Sequence, residues 1–120
     1  MKILASLCLL SLFWCSSLQA QTVSFSKDLF PLVKAKCLKC HEKDDENPNS
    51  YAMDNLELMK SSGRMKNMII PGDGSNSYLV IKLLPKPPKG AQMPIFSKKK
   101  LSEEEIALFR NWIDQGAKDN

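Results

Sequence analysis

Cys37-Leu38-Lys39-Cys40-His41 is the stretch on which the reading of this chain turns. Two cysteines three apart, followed at once by a histidine, form the pattern by which a c-type haem is attached. Each thiol can add across one vinyl group of a porphyrin, giving two thioether bonds. The adjacent imidazole can then reach the iron from one side of the ring. This reading uses the chain's single histidine.

Three other chemistries compete for the same residues. A thioredoxin-like pair needs its first thiolate at a helix N-terminus. The residues before Cys37 instead read as a helix that ends there, and no βαβ pattern surrounds them. A structural zinc site needs four ligands. Cys37, Cys40 and His41 supply three, and with no Cys or His after His41 the fourth would have to be Asp44 or Asp45. The plainest rival is a disulfide between Cys37 and Cys40 with His41 in solvent. The haem reading is preferred because it accounts for both cysteines of the domain and the single histidine without calling on an outlying carboxylate.

Upstream, Met1-Lys2 gives a positive start and Ile3 to Trp14 is mostly apolar. Ser16 and Ser17 follow, then Leu18-Gln19-Ala20 before Gln21. This is the pattern of a secretory signal peptide cleaved after Ala20, which divides the chain into a signal segment, 1–20, and one domain, 21–120. The apolar run is shorter than the roughly 20 residues of a membrane span, so no stable membrane insertion is expected. Cys8 and Cys15 leave with the segment. A lipoprotein reading would keep Cys15 as the lipidated first residue, but Leu12-Phe13-Trp14 is bulky where small residues are wanted. The expected location is the periplasm or another secreted compartment. Thioether chemistry fits export, since it needs free thiols delivered outside the cytoplasm.

The chain carries 17 Lys+Arg against 13 Asp+Glu, a net charge of +4, and loss of Lys2 leaves the domain at +3. That balance is mild. The one basic run is Lys98-Lys99-Lys100, so no nucleic-acid partner is expected. A domain this small buries proportionately little surface. A covalently held haem would add a large apolar insert to its core, and the haem-free chain is expected to fold poorly.

Leu29, Val33 and Cys37 recur at four-residue spacing, one apolar helix face that runs into the haem motif. Ser24 or Ser26 can cap this helix. Pro31 then lies past the first turn, so the helix kinks there or starts nearer to it. Glu42 to Ser50 is polar and reads as a surface loop. A short helix is expected around Leu56 to Ser61, ended at Gly63. Ile70-Pro71-Gly72-Asp73-Gly74 reads as a rigid turn, after which Ser75 or Asn76 can cap a helix through Tyr78 and Leu83 that Pro85 stops. The last helix is the most clearly bounded. Ser102 and Glu105 form a capping box, Ile106, Phe109 and Ile113 share a face beside Trp112, and Gly116 provides the stop.

His41 fills one axial position of an iron, and no second histidine exists to fill the other. A methionine thioether favours ferrous iron and raises the reduction potential relative to imidazole. Met53, Met59, Met65, Met68 and Met93 are the choices within the domain, with lysine or an open position as the alternatives. Met93 is preferred. It sits in a loop fixed by Pro94, 52 residues beyond His41, which is enough chain to return on the opposite face of a ring. The other methionines suit irregular core gaps. The second ring nitrogen of His41 should donate to a backbone carbonyl, with Pro71 and its neighbours as candidates. Arg64, Lys66 and the Trp112 indole are candidate partners for a propionate, although core packing is the simpler role for Trp112.

Taken together, these motifs resemble class I cytochromes c, and more closely the planctomycete-type cytochrome c domains. The resemblance runs through Phe25, Phe30 and Pro31 to Cys37, Cys40 and His41, then Leu56-Glu57-Leu58, Pro71-Gly72 and Ser77-Tyr78-Leu79. It continues through Met93-Pro94 to Leu101-Ser102, Glu105-Ile106, Trp112-Ile113 and Gly116-Ala117. It departs at Ser61-Ser62-Gly63, where the family often has a glycine pair, and in the proline-rich run from Pro85 to Gly90. It implies an all-α fold, a few helices wrapped around one covalently bound haem, with the first and last helices crossing. It also implies His41 and Met93 as the axial pair.

The expected function is one-electron transfer by a single haem c, without enzymatic activity. Partners would be other redox proteins, met as a monomer in transient complexes. Lys34, Lys36, Lys39 and Lys43 could steer an acidic partner, but Glu42, Asp44, Asp45 and Glu46 dilute their field. The alternative is a ligand-binding or redox-sensing module with an open or labile sixth position. A peroxidase-like enzyme would need a distal acid or base, and the chain has no spare histidine.

Overall fold

A computed structural model describes residues 20–45 and 47–120. The signal-segment reading, 1–20 with Cys8 and Cys15, lies outside the described residues except for Ala20. Regular structure among the described residues is entirely helical. A π-helical turn, Phe25–Leu29, leads into α1, Phe30–Lys36. A single 3₁₀ turn, Pro48–Ser50, sits in the loop that follows. Three more helices complete the fold: α2, Leu56–Ser61, α3, Tyr78–Leu83, and α4, Glu103–Asp114. None of these helices is long and apolar enough to cross a membrane.

The π-turn is the answer to Pro31. In an α-helical ladder Pro31 would owe a hydrogen bond to the Lys27 carbonyl, and its ring would press on that oxygen. The turn widens instead. Leu29 N–H donates to Ser24 O at 3.2 Å and Phe30 N–H to Phe25 O, both five residues back. The expected kink is thus a π-bulge, a recognised way to absorb a helix irregularity. Of the two serines, Ser24 caps: its Oγ accepts from Lys27 N–H, while Asp28 Oδ2 accepts from Ser24 N–H.

The helix face expected upstream of the motif is present. Leu29 and Val33 are buried and Cys37 is half-buried, while Lys27 and Lys34 stay exposed. The first helical segment meets α4 through an aromatic cluster. Phe25 lies 5.3 Å from Phe30 on one side and 5.3 Å from Trp112 on the other. Asn120 ties the same region, accepting at Oδ1 from Phe25 N–H and at its backbone oxygen from Ser26 N–H.

The capping box on α4 is complete: Ser102 Oγ accepts from Glu105 N–H, and Glu105 Oε2 accepts from Ser102 N–H. Its end is a Schellman motif. Gly116, at φ +105°, donates to Ile113 O, and Ala117 N–H reaches back to Trp112 O at 2.9 Å.

At α3 the expected caps are replaced. Ser77, not Ser75 or Asn76, is the N-cap residue, and its side chain bonds no helix amide. Its buried hydroxyl donates to Asp73 O and accepts from Ile70 N–H, so it closes the 70–77 turn on itself. That turn docks on the end of α4. Gly72 N–H donates to Ile113 O and Gly74 N–H to Asp114 Oδ1. Gly74 is required by this close approach, since a Cβ there would lie 2.6 Å from the Arg110 carbonyl oxygen.

Candidate haem site

The end of α1 delivers the pentapeptide as a further tight turn. Cys37 N–H still bonds Val33 O, then Cys40 N–H and His41 N–H both bond Cys37 O at 3.1 Å. Cys37 is half-buried, Cys40 exposed, and the two thiols are unbridged. Burial first, and the neighbouring Cys40 second, push the Cys37 thiol from 9.0 up to about 12. It is therefore a neutral thiol across the physiological range.

His41 is fastened at two points to one buried segment, Tyr51 to Met53. Its backbone oxygen accepts from Met53 N–H at 2.7 Å, and its Nδ1 lies 2.8 Å from Tyr51 O. A carbonyl can only accept, so Nδ1 carries the proton. That leaves the Nε2 lone pair as the ring's free donor to a metal. The expected acceptor near Pro71 is corrected here: the Pro71 turn is engaged with α4, and Tyr51 supplies the carbonyl.

The acceptor itself is held firmly. The Tyr51 ring is buried edge-on to the imidazole, with centroids 5.7 Å apart, and its hydroxyl donates to Met59 O in α2. Burial, with Cys37 second, pushes its phenol upward. Ser62 joins the same segment to α2: its Oγ accepts from Ala52 N–H at 2.9 Å and lies 2.6 Å from Leu58 O. Gly63 makes room for the ring, since a Cβ there would meet Tyr51 Cδ2 at 3.0 Å. The Ser-Ser-Gly departure therefore supports the histidine's partner. Sequence reasoning missed Tyr51 and Ser62. The available signal was the apolar triplet Tyr51-Ala52-Met53 directly after a polar loop.

Of the candidate methionines, Met53, Met59 and Met68 are buried in the core and Met65 is exposed. Met93 differs from both groups. It is half-buried, packs against the core's edge, and lies in a loop with its N–H bonded to Lys82 O at 2.8 Å; the Met93-Pro94 peptide is cis. Arg64 and Lys66 are exposed. The Trp112 indole N–H donates to Lys118 O at 2.8 Å, so the packing role holds for Trp112.

Among the described residues, no group of three or more His, Cys, Asp and Glu side chains converges as a zinc site requires. The donors do fit an iron porphyrin. Two unbridged thiols, half-buried Cys37 and exposed Cys40, precede an imidazole whose Nε2 is free, and Phe30, Leu32, Leu38, Leu56, Ile69 and Leu84 are half-buried apolar side chains packed against the core. A family model described as Planctomycete cytochrome C matches residues 37–94. Residues 37–94 are a planctomycete-type cytochrome c domain. The match opens on Cys37 and closes on Pro94, so it runs from the haem-attachment pattern to the Met-Pro pair, with α4 beyond it. No curated protein and no solved structure matches the chain. Within the cytochrome domain, Cys37, Cys40 and His41 form the haem c attachment pattern, and the fold around them is the expected all-α one.

Proposed function

We propose that the cytochrome domain is an exported one-electron carrier with a single haem c, bound through Cys37 and Cys40 and ligated by His41 and Met93. The observation that carries this reading is the 2.8 Å bond from His41 Nδ1 to Tyr51 O inside the attachment motif, which sets the imidazole up as a metal ligand through Nε2. The bound haem would supply the ferric–ferrous couple. The chain contributes the rest. Two thioethers fix the ring in place. The Tyr51 carbonyl orients the imidazole and makes it more basic. The Met93 thioether would hold the bound iron as a second protein ligand and favour its ferrous state. Two protein ligands leave no position for a substrate, which is why we read the domain as a carrier and not an enzyme.

Optical spectra of the protein, secreted with a cytochrome c maturation system, test this reading. We expect covalent haem and a far-red sulfur-to-iron band that disappears in Met93→Ala. Covalent haem with the same spectrum in both proteins would move the sixth ligand elsewhere or leave the position open, as in a sensor.

The partners in this reading are acidic redox proteins, and the face we assign to them is the Met93 loop. Gly74 to Ser102 contains six lysines and no carboxylate. Lys86, Lys89, Lys98 and Lys99 are exposed there around Phe96, whose side chain is 90% exposed. The lysines near the motif, by contrast, are followed at once by Glu42, Asp44, Asp45 and Glu46. Oxidation of the ferrous protein by hexacyanoferrate(III), an anion, should slow as salt rises and slow further when Lys98 and Lys99 become glutamate. A rate indifferent to both changes would remove this face from the reading.

A further inference from the structure

The loop that carries Met93 has an unusual hydrogen-bond problem. From Pro85 to Lys100 it contains no regular helix, and Pro85, Pro87, Pro88 and Pro94 offer carbonyls without N–H groups. Such a stretch is rich in acceptors and poor in donors, and its carbonyls need partners from elsewhere.

Two lysines supply them. Lys82, on α3, sends its ammonium to Lys89 O at 2.8 Å and Ala91 O at 2.7 Å. Lys100 sends its own to Gln92 O and Ile95 O, each at 3.3 Å, and to Pro94 O. Both side chains are half-buried. The carbonyls on either side of Met93 are thus gathered by ammonium groups, and Met93 N–H itself returns to Lys82 O. Both lysines stand on firm bases. Lys82 is in α3, and Lys100 precedes buried Leu101 and the Ser102 cap of α4. Charge-assisted bonds of this kind are roughly twice as strong as neutral ones.

We propose that Lys82 and Lys100 are positioning residues for the sixth iron ligand: their ammonium groups pin the backbone around Met93 and so decide how firmly its thioether is held at the iron. This rests on the assignment of Met93 as ligand. The Met93 thioether leaves more readily when either ammonium is removed, because the loop's carbonyls then turn to water and its backbone loosens. The two clamps hold different carbonyls, Lys82 those of Lys89 and Ala91 and Lys100 those of Gln92, Pro94 and Ile95, so removing both has the larger effect. Other lysines of the same loop, such as exposed Lys99, have no part in it.

The test uses haem-loaded protein with Lys82→Met, Lys100→Met, Lys100→Arg and, as control, Lys60→Met, an exposed lysine of α2. Imidazole is the competing ligand, and the sulfur-to-iron band and the melting temperature are read alongside. Loss of one clamp should tighten imidazole binding by about tenfold, the scale of one charge-assisted bond, and weaken the band. Lys100→Arg should restore most of both, and Lys60→Met should change neither. If Lys100→Met does not accumulate, Lys100→Gln, which keeps a donor without the charge, should show the same direction with a smaller change. Imidazole affinity and band unchanged in the clamp variants, with only the melting temperature lowered, would overturn the proposal and leave the lysines as loop supports. If Met93→Ala itself leaves the wild-type band in place, the ligand assignment has failed and the clamp falls with it. The two failures are therefore distinguishable.

Discussion

Replacing both Cys37 and Cys40 with serine should yield a secreted chain with no covalent haem and little cooperative structure. The reason lies in how the core is finished. Helices α1, α2 and α3 have seven, six and six residues. Isolated helices shorter than about 12–15 residues are marginal in water, so these three depend on tertiary packing. Their apolar side chains are only partly satisfied by the protein itself. Phe30, Leu32, Leu56 and Leu84 lean on the core but stay half-buried. Covering half of such a side chain is worth about 1 kcal/mol, and several together amount to much of the roughly 5–15 kcal/mol that holds a small domain folded. A haem stain after denaturing electrophoresis and far-UV circular dichroism would check both parts of the expectation. The single replacements, which keep one thioether, should fall between. A double variant that melts cooperatively within a few degrees of the haem-loaded protein would show that these half-buried side chains need no cover.

What could be seen in advance follows from what kind of group does each job. The Leu29–Val33–Cys37 face, the Ser102–Glu105 box and the Gly116 stop are local patterns in which a side chain announces its own role. The structure reproduces all three. Pro31 announced a disturbance but not its form. A kink, a later start and a widened turn all relieve the same clash, and the choice depends on how Ser24 and Asn120 hold the preceding backbone.

The acceptor for His41 was not legible at all, because every residue carries a carbonyl and only the fold selects one. The carbonyls around Pro71 are as eligible in sequence as any other, but Gly72 and Gly74 commit that turn to α4. The lysine clamps were hidden for a related reason. In sequence, Lys82 and Lys100 look like any other solvated lysine, and the carbonyls they serve are anonymous. The attachment pattern of Cys37, Cys40 and His41 is therefore legible in sequence, and what positions it is not. The donors are particular side chains, and the positioning is done largely by backbone.

The largest stability effect away from the haem should come from Trp112→Ala. Trp112 is 1% exposed and stacks on Phe25, which in turn stacks on Phe30 at the opening of the first helical segment. This contact is where the first and last helices meet, so the indole holds α4 against the helix that presents the haem motif. Truncating a buried aromatic to alanine costs about 3–5 kcal/mol, part lost transfer energy and part cavity. At about 4–8 °C per kcal/mol for a domain of this size, the haem-loaded protein should melt some 15–30 °C lower. Trp112→Phe separates the two roles of the side chain. It keeps the aromatic contact with Phe25 but loses the bond to Lys118 O, which lies on an exposed residue where water can replace the indole. Its cost should be only about 1–2 kcal/mol. Thermal melts followed at 222 nm give both values, and the haem spectrum at low temperature should be the same in all three proteins. The opposite pattern, a displaced spectrum with an unchanged melting temperature, would mean that the indole serves the haem directly and that its bond to Lys118 is secondary.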